Sequence, residues 1–107
     1  MTDTKALAMS RSLAAMIDGY LTTQLLYIAA RLDLADRLAA GARSSPDLAH
    51  ETGFDALAMH RLLRGLAAEG VLEEQPGAAF ALTDLGEPLS MDHPQSQRGA
   101  ILARGGL

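Results

Sequence analysis

The residues of this chain that can do acid–base, nucleophilic or metal chemistry are few and scattered. His50, His60 and His93 lie far apart in sequence, and cysteine is absent. A zinc site asks for ligands at close helical spacing or for a cysteine pair. No metal ligand set is therefore expected, and no disulfide framework exists. Glu73 and Glu74 fall in a stretch that reads as a strand. Adjacent strand side chains point to opposite faces, so these two acids are not expected to act together. The serines stand outside any nucleophile-elbow pattern. The terminal "ARGGL" has glycines but no strand before it, so it is not a phosphate cradle. The reading is that catalytic, cofactor-binding and metal-binding residues are all absent.

Arg61 and Arg64 raise a different chemistry. They sit three apart on a predicted helix, where a DNA reader would place base-contacting residues. The helix begins with Asp55, Ala56, Ala58 and Met59, which offer no base readout, and Asp55 repels phosphate. The following "EEQPGAAF" has two acids and no base, and the formal net charge is −4. Phosphate binding draws on several clustered cations. Arg61 and Arg64 are instead expected to pair with acids such as Asp55 or Glu69. A winged-helix transcription regulator using these two arginines is the alternative reading.

The elements that must position any site are mostly helical. The apolar residues are dominated by Ala and Leu, and only Tyr20, Tyr27, Phe54 and Phe80 are aromatic. That balance favours helix over sheet. The chain suits one domain with a modest core. Helices are predicted over about 5–17, 19–40, 45–52 and 55–69, with Gly19 marking a break between the first two. Ser44 and Asp55 are N-cap candidates and Pro46 fits a first turn. Gly41 is the expected C-cap of the second helix, and Gly53 and Gly70 are stops. A β-hairpin is predicted over about 71–82, turning at "QPGA". Thr83 caps a short helix over about 84–89, and a linker helix starts from about 94, weakened at Gly105-Gly106. The order describes a mainly α winged helix-turn-helix with N-terminal helices and a two-stranded wing.

The second helix carries the question. Leu25, Leu26, Tyr27 and Ile28 are consecutive, so that helix is apolar nearly all round. Such a helix needs cover on more than one side. Either it is a central core helix, or one face meets the same helix of a second copy. Leu13, Ile17, Tyr20, Leu21, Leu25 and Ile28 repeat at helical spacing and are the expected interface. Met16, Tyr20, Gln24 and Tyr27 are a second group that could line a small-molecule pocket, with ordinary packing the preferred reading. No signal peptide is visible and the apolar runs are short. A cytoplasmic protein without membrane or nucleic-acid partners is expected.

Four fragments in order carry a resemblance: "LADRLAAG", "PDLAHETG", "HRLLRGLAAEGVLEE" and "FALTDLGEPL". With the later "HPQSQRGA", the stretch from about residue 12 to 104 resembles the N-terminal dimerisation domain of S-adenosylmethionine-dependent small-molecule O-methyltransferases. These are the plant caffeate type and the actinomycete type that tailors natural products in secondary metabolism. The resemblance implies an intertwined homodimer that also closes part of the partner's acceptor pocket. It further implies a downstream catalytic domain with the S-adenosylmethionine loop and the histidine base. Neither can be assigned within the 107 residues, so residues 1–107 are expected to be a single dimerisation domain, inactive alone. Some members of the family do other chemistry on the same scaffold.

Overall fold

A single helix, α1 (Thr2–Arg31), runs for 30 residues and sets the length of the molecule, which measures 55 × 31 × 24 Å. The computed structural model describes residues 2–90 and 92–105. Gly106, expected to weaken the last helix, lies outside them.

The break predicted at Gly19 is not there. α1 passes through Gly19, because one glycine costs only about 1 kcal/mol against Ala and the Ala14, Ala15 and Met16 before it and the Gln24, Leu25 and Leu26 after it favour helix. The Thr23 hydroxyl also donates to the Gly19 carbonyl at 3.0 Å. The chain instead turns at Asp33, which is left-handed at φ 55°. Arg37 Nε donates to the Leu32 carbonyl at 2.8 Å across that turn. The predicted helix 19–40 is therefore two elements, the end of α1 and the short α2 (Leu34–Leu38).

Local sequence signals set the next elements. α3 (Ser45–Thr52) is capped by Ser44, whose hydroxyl accepts from the Asp47 N–H, and Gly53 closes it at φ 72°. α4 (Ala56–Ala68) is capped by Asp55, whose carboxylate accepts from the Ala58 N–H at 2.9 Å. Each cap satisfies an N–H that the helix itself leaves open.

The wing is larger than the predicted hairpin. β2 (Leu72–Gln75) and β3 (Ala79–Leu82) pair antiparallel, with Leu72 opposite Leu82 and Glu74 opposite Phe80. A third strand, β1 (Arg43–Ser44), pairs with the other edge of β3, giving the order β1-β3-β2. Two residues, the second of them the α3 cap, carry no alternation to read, so only tertiary contact reveals β1. After β3, Thr83 accepts from the Gly86 N–H at 3.3 Å. The predicted helix 84–89 reduces to a 3-10 turn (Glu87–Leu89), because Pro88 leaves little room for more. The last helix, α5 (Arg98–Gly105), starts four residues later than predicted, with Ser96 Oγ accepting from the Arg98 N–H at 3.3 Å.

The core sits where α2, α3, α4 and β3 meet the C-terminal part of α1. Phe80, Leu34, Leu48, Met59, Leu63 and Leu66 are its largest fully buried side chains. Each contributes roughly 1.5–3 kcal/mol of transfer free energy relative to exposure. Leu25, Leu26, Ile28 and Leu32 of α1 pack against this core. At Gly65 of α4, an added Cβ would stand 3.0 Å from Leu25 Cδ1, so α1 and α4 approach closely there. Polar contacts fix the corners. Ser90 Oγ donates to Asp36 Oδ1 at 2.5 Å. Arg98 pairs with Asp33 at 2.9 Å, which ties α5 to the turn after α1.

Two measurements test this packing. Gly86 is buried, and a Cβ there would collide with the Val71 carbonyl oxygen and stand 2.7 Å from Leu82 Cδ1. Gly86→Ala is expected to lower stability by about 1–3 kcal/mol in urea unfolding. Glu51 holds α3 to α2 and β1 by bonding both Arg43, at 2.5 Å, and Arg37. The hydrogen bonds from Arg43 and Arg37 lower its carboxyl pKa from 4.5 to about 2. A depressed carboxyl pKa adds stability that is complete above about 4.5 and is lost as pH falls toward 2. Glu51→Gln should therefore flatten the acid limb of the stability–pH curve in that window.

Candidate functional site

The chemistry-bearing side chains do not converge. His60 Nδ1 lies 3.1 Å from the hydroxyl of buried Ser45, and its ring meets Phe80 edge-on at 6.0 Å. His93 Nδ1 accepts from the Gln95 N–H, while His50 is exposed on α3. Among the described residues no group of three His, Asp or Glu side chains could hold a metal. The described strands also lack a glycine-rich turn into a helix: β1 leads straight into α3 through Ser45 and Pro46. The residues present do not fit S-adenosylmethionine.

The arginine face is occupied by acid. Arg64 pairs with Glu74 of β2 at 3.3 Å, not with the Asp55 or Glu69 expected from sequence. Strand β2 brings Glu74 over α4, a contact that helix spacing cannot show. Arg61 is exposed beside it. Glu73 and Glu74 are both exposed on the wing, so the strand beside this helix carries acids and no base.

What the structure does leave open is the N-terminal part of α1, which extends past the core. Met9, Leu13, Met16, Ile17, Tyr20 and Leu21 are more than half exposed, with Met16 at 72% and Tyr20 at 65%. Met9, Leu13, Met16, Tyr20 and Tyr27 recur at the three-and-four spacing that puts side chains on one helix face. Leu25, Ala29 and Leu32 lie on the opposite face, turned into the core. Its own chain covers the helix at its C-terminal turns and leaves the rest exposed.

The predicted interface residues divide accordingly. Leu13, Ile17, Tyr20 and Leu21 stand on the exposed arm. Leu25 and Ile28 are half-buried against the chain's own core, so they serve intramolecular packing first. The domain sits under the last two turns of α1 rather than along its whole length. Met16 and Tyr20 are exposed, and Gln24 and Tyr27 are half-buried on the same outward side. Tyr27 carries Arg31, whose guanidinium lies 5.8 Å from the ring centroid and donates to the phenol oxygen at 3.0 Å. Sequence reasoning missed Met9 and Leu7, both exposed. Their signal was available, since Met9 precedes Leu13 by four residues and Met16 by seven.

The expectation that no segment approaches a membrane span needs correction. Among the described residues one helix, Thr4–Arg31, is long and apolar enough to cross a membrane by length and composition. Scattered Ala and Leu reach that average without a continuous apolar run. The buried Ala29 and Ala30 and the core contacts of Leu25 and Leu26 hold its C-terminal part inside the domain.

With this geometry in place, comparison with known proteins gives a consistent answer. Residues 14–92 match the family model described as the O-methyltransferase dimerisation domain. O-methyltransferase SfmM3 of Streptomyces lavendulae is 44% identical over 81 residues, covering 76% of this chain and 24% of that protein. Phenazine O-methyltransferase PhzM of Lysobacter antibioticus is 37% identical over 100 residues, covering 94% of this chain and 29% of its own length. The crystal structure of the N,N-8-amino-8-demethyl-D-riboflavin dimethyltransferase RosA from Streptomyces davawensis superposes with a TM-score of 0.82 at 37% identity. That match covers 86% of this chain and 28% of RosA. The chain thus spans about a quarter of the length of the relatives it matches. A mainly helical fold with a small antiparallel sheet, an exposed apolar arm and a family match over most of its length together show that this chain belongs to the O-methyltransferase dimerisation-domain family.

Proposed function

We propose that the chain joins two copies of an S-adenosylmethionine-dependent methyltransferase of natural-product biosynthesis, by burying the outward face of α1 between them. The observation that carries this is the exposed row from Met9 to Tyr20 on a helix whose C-terminal turns are already packed into the domain. An exposed apolar surface of this extent on a helix marks an interaction site. The family match at residues 14–92 says which kind. A homodimer is the simplest assembly, because a twofold interface uses the same patch twice.

Catalysis belongs to another part of the enzyme, since no described strand of this chain runs through a glycine-rich turn into a helix as a methyl-donor site would. The acceptor is a small aromatic natural product, in keeping with relatives named for phenazine and riboflavin derivatives. RosA is named as an N,N-dimethyltransferase, so the dimerisation domain does not dictate whether oxygen or nitrogen is methylated. Met16, Tyr20, Gln24 and Tyr27 serve as packing between the two arms. A role in lining the partner's acceptor pocket is secondary to that. Nucleic acid is not a partner, because Arg64 is neutralised by Glu74 and the wing is acidic. The protein acts in the cytoplasm, with no membrane partner.

Sedimentation of the purified chain should give a dimer on the order of micromolar concentration, the range of roughly −8 kcal/mol. Leu13→Asp combined with Ile17→Asp should yield a monomer with an unchanged helical circular dichroism signal. Both positions are exposed within one copy, whereas a buried unpaired charge opposes association. A wild-type monomer at that concentration sinks the proposal. The substitutions belong at Leu13 and Ile17 rather than Leu25 or Ile28, which would disrupt the copy's own core. Duplex DNA at low ionic strength should not be bound; salt-sensitive retention would favour the regulator reading instead.

A further inference from the structure

The outward row also carries direction and register, in a way that rests on the homodimer reading above. We infer that the two α1 helices pair antiparallel, with Met16 against the partner's Tyr20 and Met9 against the partner's Tyr27.

The row runs Met9, Leu13, Met16, Tyr20, Thr23, Tyr27, alternating steps of four and three. That is a heptad seam with two kinds of position. Met9, Met16 and Thr23 share one, and Leu13, Tyr20 and Tyr27 share the other. Parallel pairing would set each residue on its own twin, leaving Thr23 on Thr23 and bulky Tyr20 on Tyr20. Antiparallel pairing sets one kind of position against the other. Placing the twofold axis at the level of residue 18 uses all six positions. Met9 then faces the partner's Tyr27, Leu13 the partner's Thr23, and Met16 the partner's Tyr20, each reciprocated. Sliding the helices by one heptad either way takes Tyr27 or Met9 past the useful end of the partner helix.

Three further observations fit this register. Thioether–aromatic contacts are favourable, and here every seam methionine meets a seam tyrosine. Thr23, the polar member, brings its hydrogen bond with it: the hydroxyl donates to the Gly19 carbonyl at 3.0 Å. Its methyl is then free to meet Leu13 of the partner subunit without leaving a buried hydroxyl unsatisfied. At the end of the seam, Arg31 fixes the Tyr27 ring by stacking and by donating to its hydroxyl. The core-facing side of α1 is held in the domain by Leu25 and Ala29, and Met9, Leu13, Met16, Tyr20 and Thr23 are exposed to a second helix.

The chain has no cysteine, so single-cysteine variants report contacts without background. A disulfide needs Cα atoms within about 7 Å. Under mild oxidation, Met16→Cys mixed with Tyr20→Cys should give a cross-linked heterodimer as the main product. Met9→Cys mixed with Tyr27→Cys should do the same. Leu13→Cys with Thr23→Cys repeats the test while sparing the Tyr27–Arg31 contact. Met9→Cys alone should not link to its own copy, because the two sites lie roughly 27 Å apart along the helices at 1.5 Å per residue. Self-linking of Met9→Cys and Met16→Cys would mean parallel pairing and overturn the inference. A native dimer with no cross-link in any of the three mixtures would overturn it too, while leaving the homodimer standing. A native chain that sediments as a monomer would remove both.

Discussion

The structure depends on an unequal division of α1. This helix is apolar nearly all round at Leu25 to Ile28, and its own domain packs against its C-terminal turns, through Leu25, Leu26, Ile28 and the buried Ala29 and Ala30. The remaining surface, from Leu7 to Leu21, stays in water when the chain is alone. A helix of this kind cannot be a finished element of a single small domain. The rest of the fold holds one end of it still, so that the other end is presented in a fixed direction.

That holding is done by layered contacts rather than by one bond. The close approach at Gly65 seats α4 against Leu25. α5 returns along α1 and is tied to its end by Arg98, which meets Asp33 and the Ala30 carbonyl. Glu51 bridges Arg37 and Arg43 and so locks α2, α3 and β1 together. These polar contacts are partly exposed and each contributes little by itself. Their value lies in orientation, since the buried apolar core around Phe80, Leu34 and Leu63 supplies the favourable burial.

The helix, turn, helix and wing arrangement is shared with DNA readers, and fold alone does not decide function. Surface chemistry supports the pairing proposed above. The wing carries acids where a phosphate-binding wing would carry bases, and Glu74 occupies Arg64. The side opposite the core carries exposed Leu, Met, Ile and Tyr instead of charge. The same scaffold that elsewhere enters a groove therefore reads in this family as a platform for pairing two chains.

The local elements were legible in the sequence because their signals are local. Ser44, Gly53 and Asp55 mark the ends of α3 and α4 through hydrogen bonds within a few residues. The "QPGA" turn marks the wing in the same way. Tertiary structure decided what depends on distant partners. It carried α1 through Gly19, where propensity alone suggested a break, and turned the chain at Asp33, a non-glycine residue held left-handed by its surroundings. It recruited Arg43 and Ser44 into a third strand through Phe80 and Ala79, which lie some 35 residues further along. Above all, periodicity could say that α1 had two apolar sides but not which one its own domain would take. That assignment required the packing of α4 and α5, because burial belongs to the fold and not to the helix.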